Sequence, residues 1–363
     1  MRRRLTGGLL ALAALPAFAD PPAADPGQAP APAPAAATAV TWSDLFRSSD
    51  VTLYLENDKF FAGTDRHYTN GFKLSFLGDT RLNESPAFVQ AVANYIPTLS
   101  PQAALEQHYK VGIAIGQNIY TPTDLETPTP ILNDRPYAAW LYGSLMFQAE
   151  DRAHELLRVV ELQFGLVGPG ALGEQIQNGW HSIIHVAHAQ GWSNQLHNEP
   201  GVVLSWERRY RVKRVVLDES GLGAELLAHG GLSVGNVDTS ARLGAMVRVG
   251  WKLPSDFGPD LIRAAGGDVA PAWRSSFYFF GSAESRFVAR NIFLDGNTWR
   301  SSQSVDKRPI VGDFYAGCVL RCPCRLARLR GLQLVYSENY RTKEFYGQLQ
   351  RDVFGSISIS LLF

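Results

Sequence analysis

The chain has 363 residues, 45% of them hydrophobic, with 34 basic and 34 acidic side chains, enough for one large β domain or two ordinary domains. A balanced net charge gives no sign of a nucleic-acid partner. Beyond residue 19 no stretch approaches the roughly 20 uninterrupted apolar residues that a membrane-spanning helix needs.

The amino terminus carries Arg2, Arg3 and Arg4, an apolar run from Leu5 to Leu15, and the small-residue pattern Ala17-Phe18-Ala19. Residues 1–19 therefore read as a signal peptide and predict export through a cleaved leader. Residues 20–40 are Pro and Ala without periodicity, which predicts a semi-extended linker. From 41 to 363 the dominant signal is period-two alternation, in segments of about ten residues separated by turn residues. In Ala241 to Trp251, for example, Leu243, Ala245, Val247, Val249 and Trp251 share one face, while Arg242, Gly244, Met246, Arg248 and Gly250 share the other. Gly201 to Arg211 and Phe277 to Arg290 repeat the pattern.

Such alternation suits a soluble sandwich as well as a membrane barrel. The carboxyl end separates the two. Ile357, Ile359, Leu361 and Phe363 lie on one face, Ser356, Ser358 and Ser360 on the other, and the chain stops on the aromatic residue. An amphipathic strand closed by a terminal Phe resembles the signal read by the barrel assembly machinery. Comparable segments near 51, 69, 109, 139, 156, 202, 223, 241, 277, 313, 331 and 354 make about twelve, an even number as single-chain barrels require. The prediction is an all-β protein, a transmembrane antiparallel β-barrel in the cell outer membrane, with outer-membrane lipids around it.

One region breaks the alternation. From Gly173 to about Ala189 the apolar residues Ile176, Trp180, Ile183 and Ile184 recur at helical spacing, which predicts a short helix in an extracellular loop. Val167-Gly168-Pro169-Gly170 stops the strand before it and starts the helix. Near the carboxyl end, Cys318, Cys322 and Cys324 read as a turn between two strands, with a local disulfide favoured over a metal site.

Three clusters carry chemistry. On the helix, Gln177 and His181 stack on one face, so that an amide beside an imidazole makes a usable general base; the alternative is a histidine that only caps or packs the helix. His185 and His188 continue that side, and zinc held by the three histidines is the minor reading. In Glu56-Asn57-Asp58, followed by Thr69, the oxygens of Asn57 and Asp58 suit a hard cation such as calcium, although Asn and Asp also populate ordinary turns. In Asp134-Arg135-Pro136-Tyr137, Arg135 either holds a phosphate of the substrate or pairs with Asp134. A serine-elbow hydrolase and a nucleotide enzyme are both disfavoured.

Taken together, Glu56-Asn57-Asp58, Asp65-Arg66 with Tyr68-Thr69-Asn70-Gly71, Ile119-Tyr120-Thr121-Pro122, Asp134-Arg135-Pro136-Tyr137, Gly165 to Gly170, Gln177-x-x-x-His181 and Trp192-x-Asn194-Gln195 resemble the lipid A 3′-O-deacylase family of Gram-negative outer membranes. The resemblance runs from about Val51 to the carboxyl terminus. It implies a twelve-stranded barrel, a calcium ion, and hydrolysis of the ester that links the 3′ acyloxyacyl group to lipid A of lipopolysaccharide. It also places Asn57, Asp58, Thr69, Gln177 and His181 on the family's active-site positions, with His181 as general base and the cation stabilising the oxyanion. Two positions depart from the pattern. Ala187 stands where a carboxylate can orient the histidine, and Asp124 and Glu126 stand where a basic pair can follow the Tyr-Thr-Pro segment. Competing expectations are a non-enzymatic outer-membrane barrel and an outer-membrane esterase acting on phospholipid.

Overall fold

The computed structural model describes residues 49–58, 67–80, 108–151, 155–259, 274–326 and 329–363. The expected leader, the linker and the Asp65-Arg66 pair lie outside the described residues. Twelve strands follow one another: β1 Ser49–Asn57, β2 His67–Thr80, β3 His108–Thr121, β4 Ala138–Asp151, β5 Leu156–Val167, β6 Glu199–Val216, β7 Leu222–Gly235, β8 Asp238–Trp251, β9 Ser276–Asn291, β10 Ile310–Leu326, β11 Leu329–Arg341 and β12 Asp352–Leu362. Each pairs antiparallel with its sequence neighbours. β12 returns to β1, from Asp50 opposite Leu362 to Asn57 opposite Gly355, and the sheet closes without an edge. Among the described residues two α-helices, α1 Gly173–Ile183 and α2 Ile292–Asp295, interrupt the meander. Both lie at the rim away from the two strand termini Ser49 and Leu362, here the upper rim.

Burial along the strands is inverted relative to a water-soluble protein. On β8, Leu243 is 67% exposed and Val247, Val249 and Trp251 are also exposed, whereas Met246 and Arg248 are buried. On β3, Ile113 and Ile115 face out, and on β6 Val202 and Leu204 do. An apolar belt outside and charges inside is what lipid around a barrel selects.

The lumen is packed rather than open. Lys73 Nζ lies 3.0 Å from Glu161 Oε1, both fully buried. Arg209 pairs with Glu207 at 2.7 Å, Arg242 reaches the same carboxylate at 3.9 Å, and His229 meets Glu284 at 2.9 Å. At the lower end the segment after β8 folds into the lumen. There Arg248 and Arg321 clasp Asp256, Arg211 donates to the Asp256 carbonyl at 2.7 Å, and its guanidinium covers the Phe257 ring. A wide water-filled channel does not fit inside such a barrel.

The cysteine expectation fails. Cys318, Cys322 and Cys324 are separate thiols within β10, not in a turn. They sit at even spacing on one face, so their side chains run parallel, and neighbours two apart are about 6.6 Å distant along the strand with diverging reach. Pro323 misled the reading: it is accommodated near an irregularity in the β10–β11 ladder, where a missing N–H is tolerated.

Candidate active site

α1 is built by local sequence. Gly168, with φ of 102°, ends β5, and Pro169 opens a single 3-10 turn through Ala171. Leu172 adopts a left-handed conformation, φ 60°, before the helix begins. The loop is tied to the barrel: the Gly168 amide donates to the Ala139 carbonyl at 3.0 Å, and Gln117 Nε2 donates to the Ala171 carbonyl at 2.6 Å. Helix residues Gly173, Gln177 and His181, each four apart, form the buried face.

That face meets the outside of the barrel, not its lumen. Strand alternation sends Asn118 and Tyr120 inward and Gln117, Ile119 and Thr121 outward, and yet Ile119 and Thr121 are buried, at 1% and 0% exposure. Ile119 and the equally buried Ala139 pack with Ala171, Ala189 and Trp192 of the loop. A Cβ on Gly173 would fall 2.6 Å from the Ala139 Cβ and from the Trp192 ring, so only glycine lets the helix come this close. The register sets Asn57, Asn70, Ile119 and Ala139 side by side on this outward surface. Thr69 occupies an irregularity between Tyr68 and Asn70, and its hydroxyl lies 2.7 Å from that of Thr121.

His181 is held in a defined tautomer. Its Nδ1 is 2.6 Å from the Ala187 carbonyl oxygen; a carbonyl only accepts, so Nδ1 carries the proton and Nε2 carries the lone pair of the neutral ring. The missing carboxylate at position 187 is thus replaced by the backbone of the same residue. This is possible because the helix ends at Ile183, short of the expected Ala189. His185 takes φ 58° and turns the chain back, with the Val186 amide on the His181 carbonyl at 3.0 Å. His185 and His188 are therefore off the helix and exposed, and His188 Nε2 sits 2.8 Å from Ser182 Oγ. They do not continue the side of His181. Among the described residues no three His, Cys, Asp or Glu side chains gather as a zinc site would require.

Gln177 is fixed by Trp192, whose indole N–H donates to its amide oxygen at 2.9 Å. The indole cannot accept, so the amide orientation is settled and the NH₂ end remains the donor. Asn178 braces the same loop, its Oδ1 accepting from the Ala189 amide at 2.8 Å. Asn57 and Asp58, 7% and 2% exposed, close β1 beside this surface. The Asp58 carboxylate and the Asn57 amide oxygen are adjacent oxygen donors, which fit calcium in kind.

Arg135 is fully buried with Nη1 3.2 Å from Glu344, so its partner is Glu344 and not the adjacent Asp134. Glu344 also receives Arg286 at 3.0 Å and Arg341 at 3.8 Å. Burial would push its carboxyl up, but the three guanidinium groups hold it down at about 2. Asp134 faces His67 Nε2 at 3.4 Å and accepts from the Thr123 amide at 2.8 Å. Against the effect of burial, these bonds hold it at about 2 as well. His67 Nδ1 lies 2.5 Å from Asp352. Sequence reading gave Arg135 and Asp134 a place but assigned no role to His67, Glu344 or Asp352, which barrel closure brings to them. A cavity of about 170 Å³ lies in the lumen among Tyr68, Tyr120, Trp140 and Arg242, and none of the five candidate residues lines it.

One amendment concerns serine. Gly231-Leu232-Ser233-Val234-Gly235 does carry Gly-x-Ser-x-Gly spacing. It lies within β7, facing the lumen, where Ser233 Oγ meets Ser205 Oγ at 3.0 Å and Arg242 Nη2 at 2.8 Å. It is not the strand-to-helix turn that a nucleophile elbow needs.

A closed barrel with an apolar belt, a packed lumen and a helix clamped to the outside of its wall defines an outer-membrane barrel with a wall-side cleft. The chain belongs to the LpxR outer membrane protein family, whose model, described as outer membrane protein LpxR, matches residues 10–363. This bears out the family resemblance, the twelve-stranded fold and the outer-membrane location. No curated protein sequence matches the chain. Among solved structures, LpxR from Salmonella typhimurium superposes with a TM-score of 0.68 at 19% identity, covering 86% of this chain and 100% of that one. The β domain of the Bordetella autotransporter BrkA reaches a TM-score of 0.41 at 10% identity, covering 87% of this chain and 98% of that one, too low to bear on this architecture.

Proposed function

We propose that this protein is a lipid A deacylase that hydrolyses the ester of the 3′ acyloxyacyl group, with His181 as general base. The observation that carries the reading is the tautomer of His181, fixed by the Ala187 carbonyl on the helix face that packs against the barrel wall. Distances support it. From Gly173, which rests on Ala139, His181 lies eight residues on, about 12 Å along the helix. Across the wall from Ala139 to Asn57 are three strand spacings, about 14 Å. A helix running across the strands toward β1 would bring the imidazole within reach of Asn57, Asp58 and Thr69.

His181 Nε2 takes a proton from water as the water oxygen attacks the ester carbonyl, then returns it to the departing alkoxide, so no net proton is consumed in the transfer. Gln177, whose amide orientation is set by the Trp192 indole, is the side-chain donor assigned to the developing oxyanion. Thr69, paired with Thr121, sets the polar floor of the cleft. A calcium ion held by Asp58 and Asn57 would supply further positive charge for the oxyanion. Arg135, committed to Glu344, supports the rim instead of reaching a phosphate.

Mass spectrometry of lipid A and phospholipids from cells with and without the gene tests the substrate. Loss of the 3′ acyloxyacyl group only when the gene is present is expected; unchanged lipid A with altered phospholipid would move the reading to a phospholipid esterase, and no change in either to a non-enzymatic barrel. Exhaustive chelation followed by calcium restoration tests the metal, and full turnover in chelator removes it from the mechanism.

A further inference from the structure

α1 has its amphipathicity the wrong way round for a helix packed on a soluble core. The buried stripe is Gly173, Gln177 and His181, while Ile176 is 47% exposed, Trp180 46% and Ile183 69%. Leu172 before the helix and Val186 after it extend the exposed apolar side. A protein seldom leaves a Trp and two Ile in water on one helix face, and no other described element covers them.

The surface beneath identifies what does. Going up the outward face of β3, Ile113 and Ile115 are exposed members of the apolar belt. Gln117 bonds the foot of the helix loop, and Ile119 and Thr121 are covered by that loop. From Ile115 to Ile119 is about 13 Å of strand, so the belt runs directly to the underside of the loop. The helix face continues the membrane contact of the wall.

We infer that this face is embedded in lipid acyl chains of the leaflet at the upper rim, so that α1 is a lipid-anchored jamb and the cleft behind it opens sideways into the bilayer. Trp180 and the two Ile side chains match the composition of an interfacial helix buried about 5–10 Å below the headgroups. A lipid substrate then reaches His181 without leaving the membrane. The embedding stands on the geometry alone; the route for substrate rests on the deacylase reading.

The test compares wild type with Trp180→Phe, folded into phosphatidylcholine vesicles with and without bromine on the upper acyl chain. The emission that disappears on substitution is the Trp180 signal, and it should be strongly quenched by brominated chains. Equal emission in both vesicles overturns the embedding, and concentration-dependent emission insensitive to bromine assigns the face to a second copy of the chain. In a second arm, Ile176→Asn with Ile183→Asn should raise KM for vesicle-embedded lipid A by about a hundredfold or more, the order expected on withdrawing two embedded aliphatic side chains from hydrocarbon. Its kcat on detergent-dispersed substrate should be unchanged. Quenching without deacylation would sink the function and spare the surface; deacylation without quenching would do the reverse.

Discussion

The barrel treats the buried polar groups of its lumen and those of the cleft outside its wall differently. In the lumen, charge answers charge: Lys73 with Glu161, Arg209 with Glu207, and Arg248 and Arg321 with Asp256. In the cleft outside the wall the bonds run between neutral groups: His181 meets a backbone carbonyl, Gln177 an indole and Thr69 a second hydroxyl. Mutually neutralised ions hold a structure in one arrangement but have little chemistry to spend on a substrate. Groups oriented by neutral partners keep their acid, base and donor character. The lumen is organised for persistence, the cleft for reaction.

The sharpest way to break this contrast is His181→Ala. It should lower deacylation by roughly two to four orders of magnitude, while heat-modifiable migration of the barrel stays as in wild type. Near wild-type turnover by the folded variant would return His181 to a packing role, and neither His185 nor His188 could replace it from its exposed position.

Glu161→Ala should produce the opposite phenotype. It strips a carboxylate from buried Lys73 and should cost about 3–5 kcal/mol of barrel stability, read by denaturant titration, with specific activity of the folded fraction preserved. Equal losses in stability and turnover would mean that lumen and cleft are one energetic unit.

Gly173→Val sharpens the comparison at their boundary, the wall itself. The added side chain pushes α1 off Ala139, at a cost of about 1–3 kcal/mol, and turnover should fall about ten- to a hundredfold with little change in barrel melting. Unchanged kinetics would show that the helix need not touch the wall there.

The smallest effect concerns acid. Asp134 and Glu344 are held at about 2 in the folded rim, below their ordinary values. Their contribution is therefore complete above the unfolded carboxylate range, about pH 4, and is lost as pH falls through about 2. Protection factors of amides in the segment between β11 and β12 should stay constant from neutrality to about pH 4 and fall below it. Loosening already near neutrality would exclude these carboxylates as the cause.

The strands were legible because lipid outside and charge inside write the same period-two code on every segment, and Leu243 through Trp251 and Ile357 through Phe363 carry it without interruption. The start of α1 was legible from Gly168-Pro169. Its end was not, because a left-handed histidine at 185 has no sequence signature comparable to glycine. Nor was the face it buries: Ile176, Trp180 and Ile183 mark a helix but do not say that lipid, not protein, receives them. The partner of Arg135 is 209 residues away in Glu344, and only the closed barrel brings the two together. Cys318 to Cys324 were misread because a proline normally outweighs alternation, and here a ladder irregularity absorbs it.

The seam between β1 and β12 has a consequence for timing. Asn57 lies opposite Gly355, Thr52 bonds Ser360 across 308 residues, and His67 meets Asp352 across 285. None of these contacts exists until the first and last strands zip together, the slowest kind of pairing for a chain to find. The strand that ends at Asn57 is consequently an open edge until that pairing forms, and the rim acquires its final shape only then. Built this way, the rim is completed only when the barrel closes.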